Sequence, residues 1–238
     1  MNVSFLYKIT RKIIKIFRLN PLFFNAPYDY VQVITEQHVH NYLNLDKSKI
    51  KSWCIVGGHL GSEANKIIKN YPYSRLVIFE CSHRYINKLK KNFKGNKKVE
   101  IIQKAVSVSN GTAKFFETSL NGAGSLLKIG QLAKESYQAK NKESFEVETI
   151  SLDSFFKNKE LDVLQIDVQG AEKLVIQGAV NVLKNTKAVF IEISVKPNLY
   201  KGSVTFEEIS RLLAKYGFKL ALLGTDFNLT GNALFLKV

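Results

Sequence analysis

Residues 52–56 (SWCIV) form an apolar run that ends in Gly57-Gly58-His59-Leu60-Gly61, and a helix-compatible stretch opens at Ser62. No other feature narrows the fold as much. A short, wholly apolar strand is one buried on both faces, so it needs helices on either side of its sheet. Glycines let the backbone turn tightly and approach a ligand closely, and the helix N-terminus behind them favours a carboxylate or phosphate. Taken alone, the turn has two readings: a ligand loop, or a turn that only packs helix on sheet.

The alternation of strand and helix continues along the chain. Strands are expected at residues 75–79, 99–105, 162–167, 188–195, 218–223 and 233–238. Helices are expected at 31–45, 62–70 and 83–93, from the 162–167 strand through 183, and after Thr205, where Thr205 and Glu208 have the spacing of a capping box. This order implies a mostly parallel sheet covered on both faces. The final pair has no helix between its members, which implies one antiparallel edge strand. Residues 112–117 and 145–149 read as extended pieces inserted between the two halves.

The 35 Lys and Arg against 20 Asp and Glu give a formal charge of +15, which favours acidic partners such as nucleic acid, anionic lipid or a phosphorylated substrate. The same composition follows from AT-rich codon usage, so charge does not choose among them. Cys54 and Cys81 have no zinc-site spacing, which fits a reducing, cytoplasmic compartment. No stretch has the pattern of a secretory signal or a membrane span. Leu6, Ile9, Ile13, Ile16 and Phe17 recur at helical spacing among Lys8, Arg11, Lys12, Lys15 and Arg18. This basic amphipathic helix has two uses: peripheral contact with the inner face of a membrane through residues 5–19, or packing on the domain or on a second copy in a homo-oligomer. The chain therefore divides into a helical extension, 1–48, and one domain, 49–238.

The second strand ends in Glu80, about 20 residues after the glycines, where an acid grips ribose hydroxyls in dinucleotide oxidoreductases and in S-adenosylmethionine (SAM) methyltransferases. Downstream come KAVS (104–107), GSL (124–126), SLDSF (151–155), LQIDVQGAE (164–172), QGA (177–179) and IEI (191–193). With VGGHLG and FE before them, this ordered series resembles the FkbM family of SAM-dependent methyltransferases. The family pattern is approximately DVGANxG, FEP, TLD, KIDVEGAE, LKGA and an acid at the next strand end. The resemblance covers residues 51–195.

The resemblance implies an α/β, Rossmann-like class I SAM methyltransferase fold, with a mostly parallel seven-stranded sheet and an antiparallel last strand. It implies that Gly57, Gly58, His59 and Gly61 form the turn around the methionine end of SAM, and that Glu80 holds the ribose. Ala105 and Val106 would flank the adenine, and Asp167 would end the fourth strand over the methyl-transfer position, with Glu172 and Glu192 nearby. Asp167 is the first candidate for a base or acceptor-orienting group, Glu192 the second and His59 a distant third. Asp167, Glu172 and Glu192 are also the candidate ligands of a divalent cation. In the structural alternative Glu172 caps its own helix and Glu192 pairs with Lys196.

The expected activity is methyl transfer to a hydroxyl of a carbohydrate or small molecule, with acceptor contacts from residues 122–137 and the N-terminal extension. Nucleic acid is not an expected partner, since no Asn/Asp-Pro-Pro-Tyr motif or RNP-like aromatic pattern occurs. Five positions depart from the family pattern: Ile55 for an acid, His59 for Asn, Cys81 for Pro, Gln165 for Lys and Gln169 for Glu. Loss of a turn acid at Ile55 predicts weaker SAM binding by roughly 1.5–3 kcal/mol. The departures also motivate a second reading, a methyltransferase fold kept as a non-catalytic binding scaffold.

Overall fold

The computed structural model describes residues 29–31, 34–157, 159–225 and 229–238. The first strands are β1 (Asp29–Val31), β2 (Ser52–Val56), β3 (Arg75–Phe79) and β4 (Val99–Ile102). After them come β5 (Ala105–Val106), β6 (Gly111–Thr118), β7 (Asn141–Ile150) and β8 (Val163–Ile166). The last are β9 (Ala188–Ser194), β10 (Phe218–Thr225) and β11 (Thr230–Lys237). The main sheet has the order β1-β10-β11-β9-β8-β2-β3-β4, and β5-β7-β6 form a second, smaller sheet.

The antiparallel last strand is present, but not at the edge where the sequence suggested it. β11 lies inside the sheet, antiparallel to both β9 and β10, while the other pairings of that sheet are parallel. The edge is formed by β1, an eighth strand that pairs parallel with β10. This strand corrects the expected helix at 31–45. Val31 is held opposite Gly224, and the helix there, α1, spans only His38–Leu43.

Two further expectations are corrected by local packing. The strand expected at 99–105 stops at Ile102, because Ala105 and Val106 leave the main sheet to pair with Thr149 and Ile150. The helix expected to run through 183 breaks at Gly178, where the backbone passes so close that a Cβ would stand 2.1 Å from the Ser107 carbonyl oxygen. The basic helix expected at the N-terminus, with its lipid-contacting residues 5–19, lies outside the described residues. Among the described residues no helix is long and apolar enough to cross a membrane.

The remaining helices are α2 (Ser62–Asn70), α3 (His83–Asn92), α4 (Gln131–Tyr137), α5 (Leu152–Phe155), α6 (Glu172–Gln177), α7 (Val182–Asn185) and α8 (Phe206–Ala214). The Thr205–Glu208 capping box forms as its spacing predicts. Strand side chains alternate between two cores. Trp53, Ile55, Leu76 and Ile78 pack with α2 and α3 on one face, while Cys54, Val56, Leu164 and Ile166 pack with α6 and α8 on the other. Each fully buried Ile, Leu or Phe contributes about 1.5–3 kcal/mol. The Asp162 carboxylate ties three strand starts together. It accepts from the Lys51 and Ser52 amides at 2.7 and 3.0 Å and pairs with Lys187 at 2.5 Å. This leaves the carboxyl ends of β2, β3 and β8 together at one end, where the small sheet closes over them.

Candidate active site

The turn after β2 is shaped by what lies behind it. The Gly57 and Gly58 amides both donate to the Phe79 carbonyl at 3.0 Å, bending the chain back over the end of β3. Gly57 has φ +95°, and a Cβ there would sit 1.8 Å from the Asp167 carbonyl oxygen. Only glycine permits both the left-handed backbone and this approach between the ends of β2 and β8. Gly58 and Gly61 have a different role. Their missing Cβ atoms make room for Ile78 and for the Phe93 ring, so these two glycines pack the turn rather than line the cavity beside it.

That cavity, of about 270 Å³, lies at the carboxyl ends of β2, β3 and β8. Gly57, His59, Glu80, Ala105, Val106 and Asp167 all line it. Six of the positions singled out in the sequence are thus brought together from four separate segments. Ile55 is not among the lining residues; it is 2% exposed within the core on the α2–α3 face.

Glu80 is the polar anchor of the cavity. Its two carboxylate oxygens accept from the His59 and Ser82 amides, each at 2.7 Å. Burial nevertheless pushes its pKa up to about 7, since the two backbone donors only partly offset desolvation and the Glu117 charge adds to it. Glu117 is itself buried on β6 and accepts from the Ser82 hydroxyl. His59 holds a left-handed conformation, φ +46°, and its ring packs against Tyr85 with centroids 4.2 Å apart. Its Nε2 is buried without a hydrogen-bond partner among the described residues. A buried polar atom left open beside a cavity is a place for a ligand group. Tyr85 continues the wall by donating to Asn121 Oδ1 and accepting from the Gly122 amide, both at 2.9 Å.

The three carboxylates expected near the reacting centre do not converge as a set. Glu172 turns back on its own loop, accepting from the Gly170 amide at 3.0 Å and the Val168 amide at 3.3 Å. These amides belong to the loop before α6, so Glu172 braces that loop rather than capping its own helix. Burial raises its pKa to about 7. Between Asp167 and Glu192 stands the side-chain amide of Gln169, whose Nε2 donates to Asp167 Oδ1 and to Glu192 Oε2, each at 2.8 Å. No cluster of three or more His, Cys, Asp or Glu side chains arranged to hold a metal exists among the described residues. The cation-site candidate formed by Asp167, Glu172 and Glu192 is therefore not assembled.

Glu192 is partly buried and Asp167 opens to solvent, and both carboxyls are raised above the ordinary range. For Asp167 the main cause is desolvation; for Glu192 it is desolvation, then the negative charge of Asp167. The larger upward push falls on Glu192, which feels the negative charges of Asp167 and Glu172. Tyr200, which the sequence reading missed, completes the network. Its hydroxyl stands 3.0 Å from Gln169 Oε1 and 3.1 Å from the Ala123 carbonyl. Tyr200 lies in the loop after β9, and loops at the carboxyl ends of parallel strands are where such residues are to be sought.

Together, the sheet order, the glycine turn and the acid at the end of β3 define a SAM-dependent methyltransferase of the class I fold. Residues 56–220 match the methyltransferase FkbM domain, and the chain belongs to that family. Among relatives, the 2-O-methyltransferase NoeI of Sinorhizobium fredii (strain NBRC 101917 / NGR234) is 26% identical over 171 residues, covering 68% of this chain and 70% of that protein. The solved METTL16 methyltransferase domain shares the fold at 11% identity, with a TM-score of 0.50 over 84% of this chain and 65% of its own. An Aeropyrum pernix fibrillarin with natively bound SAM is 12% identical, with a TM-score of 0.46 over 79% of this chain and 66% of that one. The chain spans about two thirds of the length of either structure.

Proposed function

We propose that the chain transfers the methyl group of SAM to a hydroxyl of a carbohydrate or other small molecule. The observation that carries this reading is the Asp167–Gln169–Glu192 network, whose Asp167 end lines the cavity that begins at the glycine turn. Bound SAM supplies a sulfonium methyl: the acceptor oxygen forms a bond to carbon as the carbon–sulfur bond breaks, and the released electron pair goes to sulfur. The chain must place the acceptor oxygen in line and take up its proton. Asp167, at the cavity wall, is the group for that proton. Gln169 fixes the carboxylate by donating to it and to Glu192. Glu80 would accept from the ribose hydroxyls, His59 Nε2 would meet the methionine end, and Ala105 with Val106 would face the adenine.

Support for oxygen as the acceptor comes from the relative named a 2-O-methyltransferase. The scaffold reading rested on Ile55, Gln165 and Gln169. Ile55 is a core residue that does not line the cavity, and Gln169 is the centre of the polar network, so neither speaks for a dead site. Labelled SAM offered with sugars, phenols and amines tests the proposal by product analysis. An O-methyl ether is expected; an N-methyl product, or no transfer by protein that binds SAM, sinks it.

A further inference from the structure

The charge of the chain is not spread evenly over the fold. The connections that lead from a helix into a parallel strand are residues 44–51, 71–74, 93–98, 156–162, 186–187 and 215–217. All of them lie at the amino end of the sheet, away from the cofactor cavity. They carry ten Lys against three Asp or Glu. The described connections at the carboxyl end, 57–61, 80–82, 167–171 and 195–205, carry two Lys and two acids, and the insertion at 103–151 carries six Lys and five Glu. Codon usage alone would enrich lysine at both ends, so its concentration at one end is a property of that surface.

The cations of this end are open to a partner. Eight of the ten lysines are exposed, and among the described residues only Lys187 forms an ion pair, with Asp162. Tyr73, 65% exposed, stands among them, with the Lys51 amine 5.6 Å from its ring centre. Neighbouring strands lie about 4.8 Å apart, so the row from the start of β10 to the start of β4 is about 29 Å long. At β2, β3 and β4 it is hollowed by a cavity of about 250 Å³ lined by Arg75, Lys97, Lys98 and Lys159, with Glu100 and Glu160 as its acids. β1 runs parallel to β10, so its first residue, Asp29, points toward the same end. The sequence before it, residues 1–28, holds five Lys or Arg and no acid, alongside Ile9, Ile13, Ile16 and Phe17.

We propose that the amino end of the sheet docks on a membrane surface rich in anionic lipid, with the cofactor cavity turned away from it toward water. A broad basic row with few acids matches a layer of phosphate and carboxylate headgroups, where each Lys or Arg contributes about fivefold to partitioning. An exposed aromatic ring among lysines suits the headgroup layer. The hollow lined by Arg75, Lys97, Lys98 and Lys159 has the charge to seat one headgroup phosphate. Nucleic acid would satisfy the same cations but offers no apolar phase to the Ile and Phe side chains of residues 1–28, whereas lipid offers both. A substrate then reaches the cavity from the aqueous side and not from the bilayer beneath. The proposal is independent of which atom accepts the methyl group.

The test is cosedimentation of the full chain with phosphatidylcholine vesicles, with and without phosphatidylserine. Binding is expected only where phosphatidylserine is present, and it should be lost at high salt. Lys49→Gln, Lys94→Gln and Lys97→Gln together, with residues 1–28 intact, should weaken it on the order of a hundredfold. The same exchange at Lys114, Lys134 and Lys142 of the insertion should leave it within about threefold. Lys→Arg at the first three positions should keep binding, which separates lost charge from lost folding. S-adenosylhomocysteine affinity should stay within about twofold on and off the vesicles, because the cavity faces water. The proposal is overturned by no binding to phosphatidylserine vesicles, by a first triple that binds as the unaltered chain does, or by equal losses from both triples. Competition between vesicles and S-adenosylhomocysteine, or capture of a mixed-sequence RNA duplex at a salt concentration where vesicles are not bound, would overturn it as well.

Discussion

Ile55 on β2 and Gln165 on β8 are register partners on adjacent parallel strands, and strand alternation directs both to the α2–α3 face of the sheet. In the family pattern these positions carry an acid and a lysine, which would meet as a buried ion pair. Two departures that look independent in the sequence are one exchange of a charged pair for a neutral one. Exchanges of that kind are often neutral or stabilising. Ile55→Asp alone should destabilise the protein by about 3–5 kcal/mol, because it buries a charge without a partner. Adding Gln165→Lys should recover most of the loss. Denaturant unfolding of the two single variants and the double gives the coupling, and additive effects would show that the residues do not meet.

Gln165 also has a buried Oε1 without a hydrogen-bond partner among the described residues. An unmet buried acceptor costs about 1–3 kcal/mol. Gln165→Met keeps the volume and removes that cost, so it should raise the unfolding free energy. A lower value would mean that Oε1 is satisfied in solution.

Glu80, with its pKa near 7, makes cofactor binding depend on pH. Above pH 7 it is ionised and can accept from ribose hydroxyls; below, it is protonated. S-adenosylhomocysteine affinity should fall as pH drops through 7, approaching about tenfold per unit well below it. Glu80→Gln should bind weakly and without that slope. The ligand-free protein has the opposite trend. The folded pKa lies above the unfolded one, so this group's contribution to stability is complete below the ordinary carboxylate range and is lost as pH rises through about 7. Calorimetric titration and thermal unfolding across the same pH series read the two trends, and parallel slopes would contradict the assignment.

Asp167→Asn should lower transfer by roughly 10²- to 10⁴-fold, the range of a lost general base, with S-adenosylhomocysteine affinity nearly unchanged. Gln169→Glu replaces the donor between two carboxyls with a third acid. It should move the pH–rate profile upward, since like charges raise the pKa values of the group. A profile that stays in place would mean that Gln169 does not bridge the pair during turnover.

Gly57→Ala puts a methyl group where the Asp167 carbonyl now lies, on a backbone at φ +95°. Overpacking and the left-handed penalty each cost about 1–3 and 1–2 kcal/mol. The variant should unfold at clearly lower denaturant and lose transfer rate, because any relief displaces Asp167. Unaltered stability would mean that the ends of β2 and β8 are further apart than this contact requires.

Much of the parallel sheet was legible because apolar runs buried on both faces leave a continuous signal, as in residues 52–56 and 188–195. What escaped had a tertiary cause. Asp29–Val31 is a strand only because β10 offers it an edge, and Ala105–Val106 leave the main sheet only because β7 lies alongside. In the site, Gly57, His59, Glu80, Ala105, Val106 and Asp167 were legible from ordered motifs, and the structure gathers all six around one cavity. Gly58 and Gly61 also make room for Ile78 and the Phe93 ring, which the sequence did not show, because a glycine demanded by a neighbouring side chain looks the same in sequence as one demanded by a ligand. Tyr200 gave no signal, since its importance comes from the fold of Pro197–Lys201 against residues 128–132.

The interior place of β11 governs the order in which the molecule can be completed. Both β10 and β1 connect to the rest of the sheet only through it. A nascent chain that has not yet reached residue 230 can assemble β4, β3, β2, β8 and β9, but β1 and β10 have only each other and nothing joins them to the rest of the sheet. The edge of β9 then stands open as a template for another chain, so the newly made protein is most prone to misassociation just before its final strand slots home.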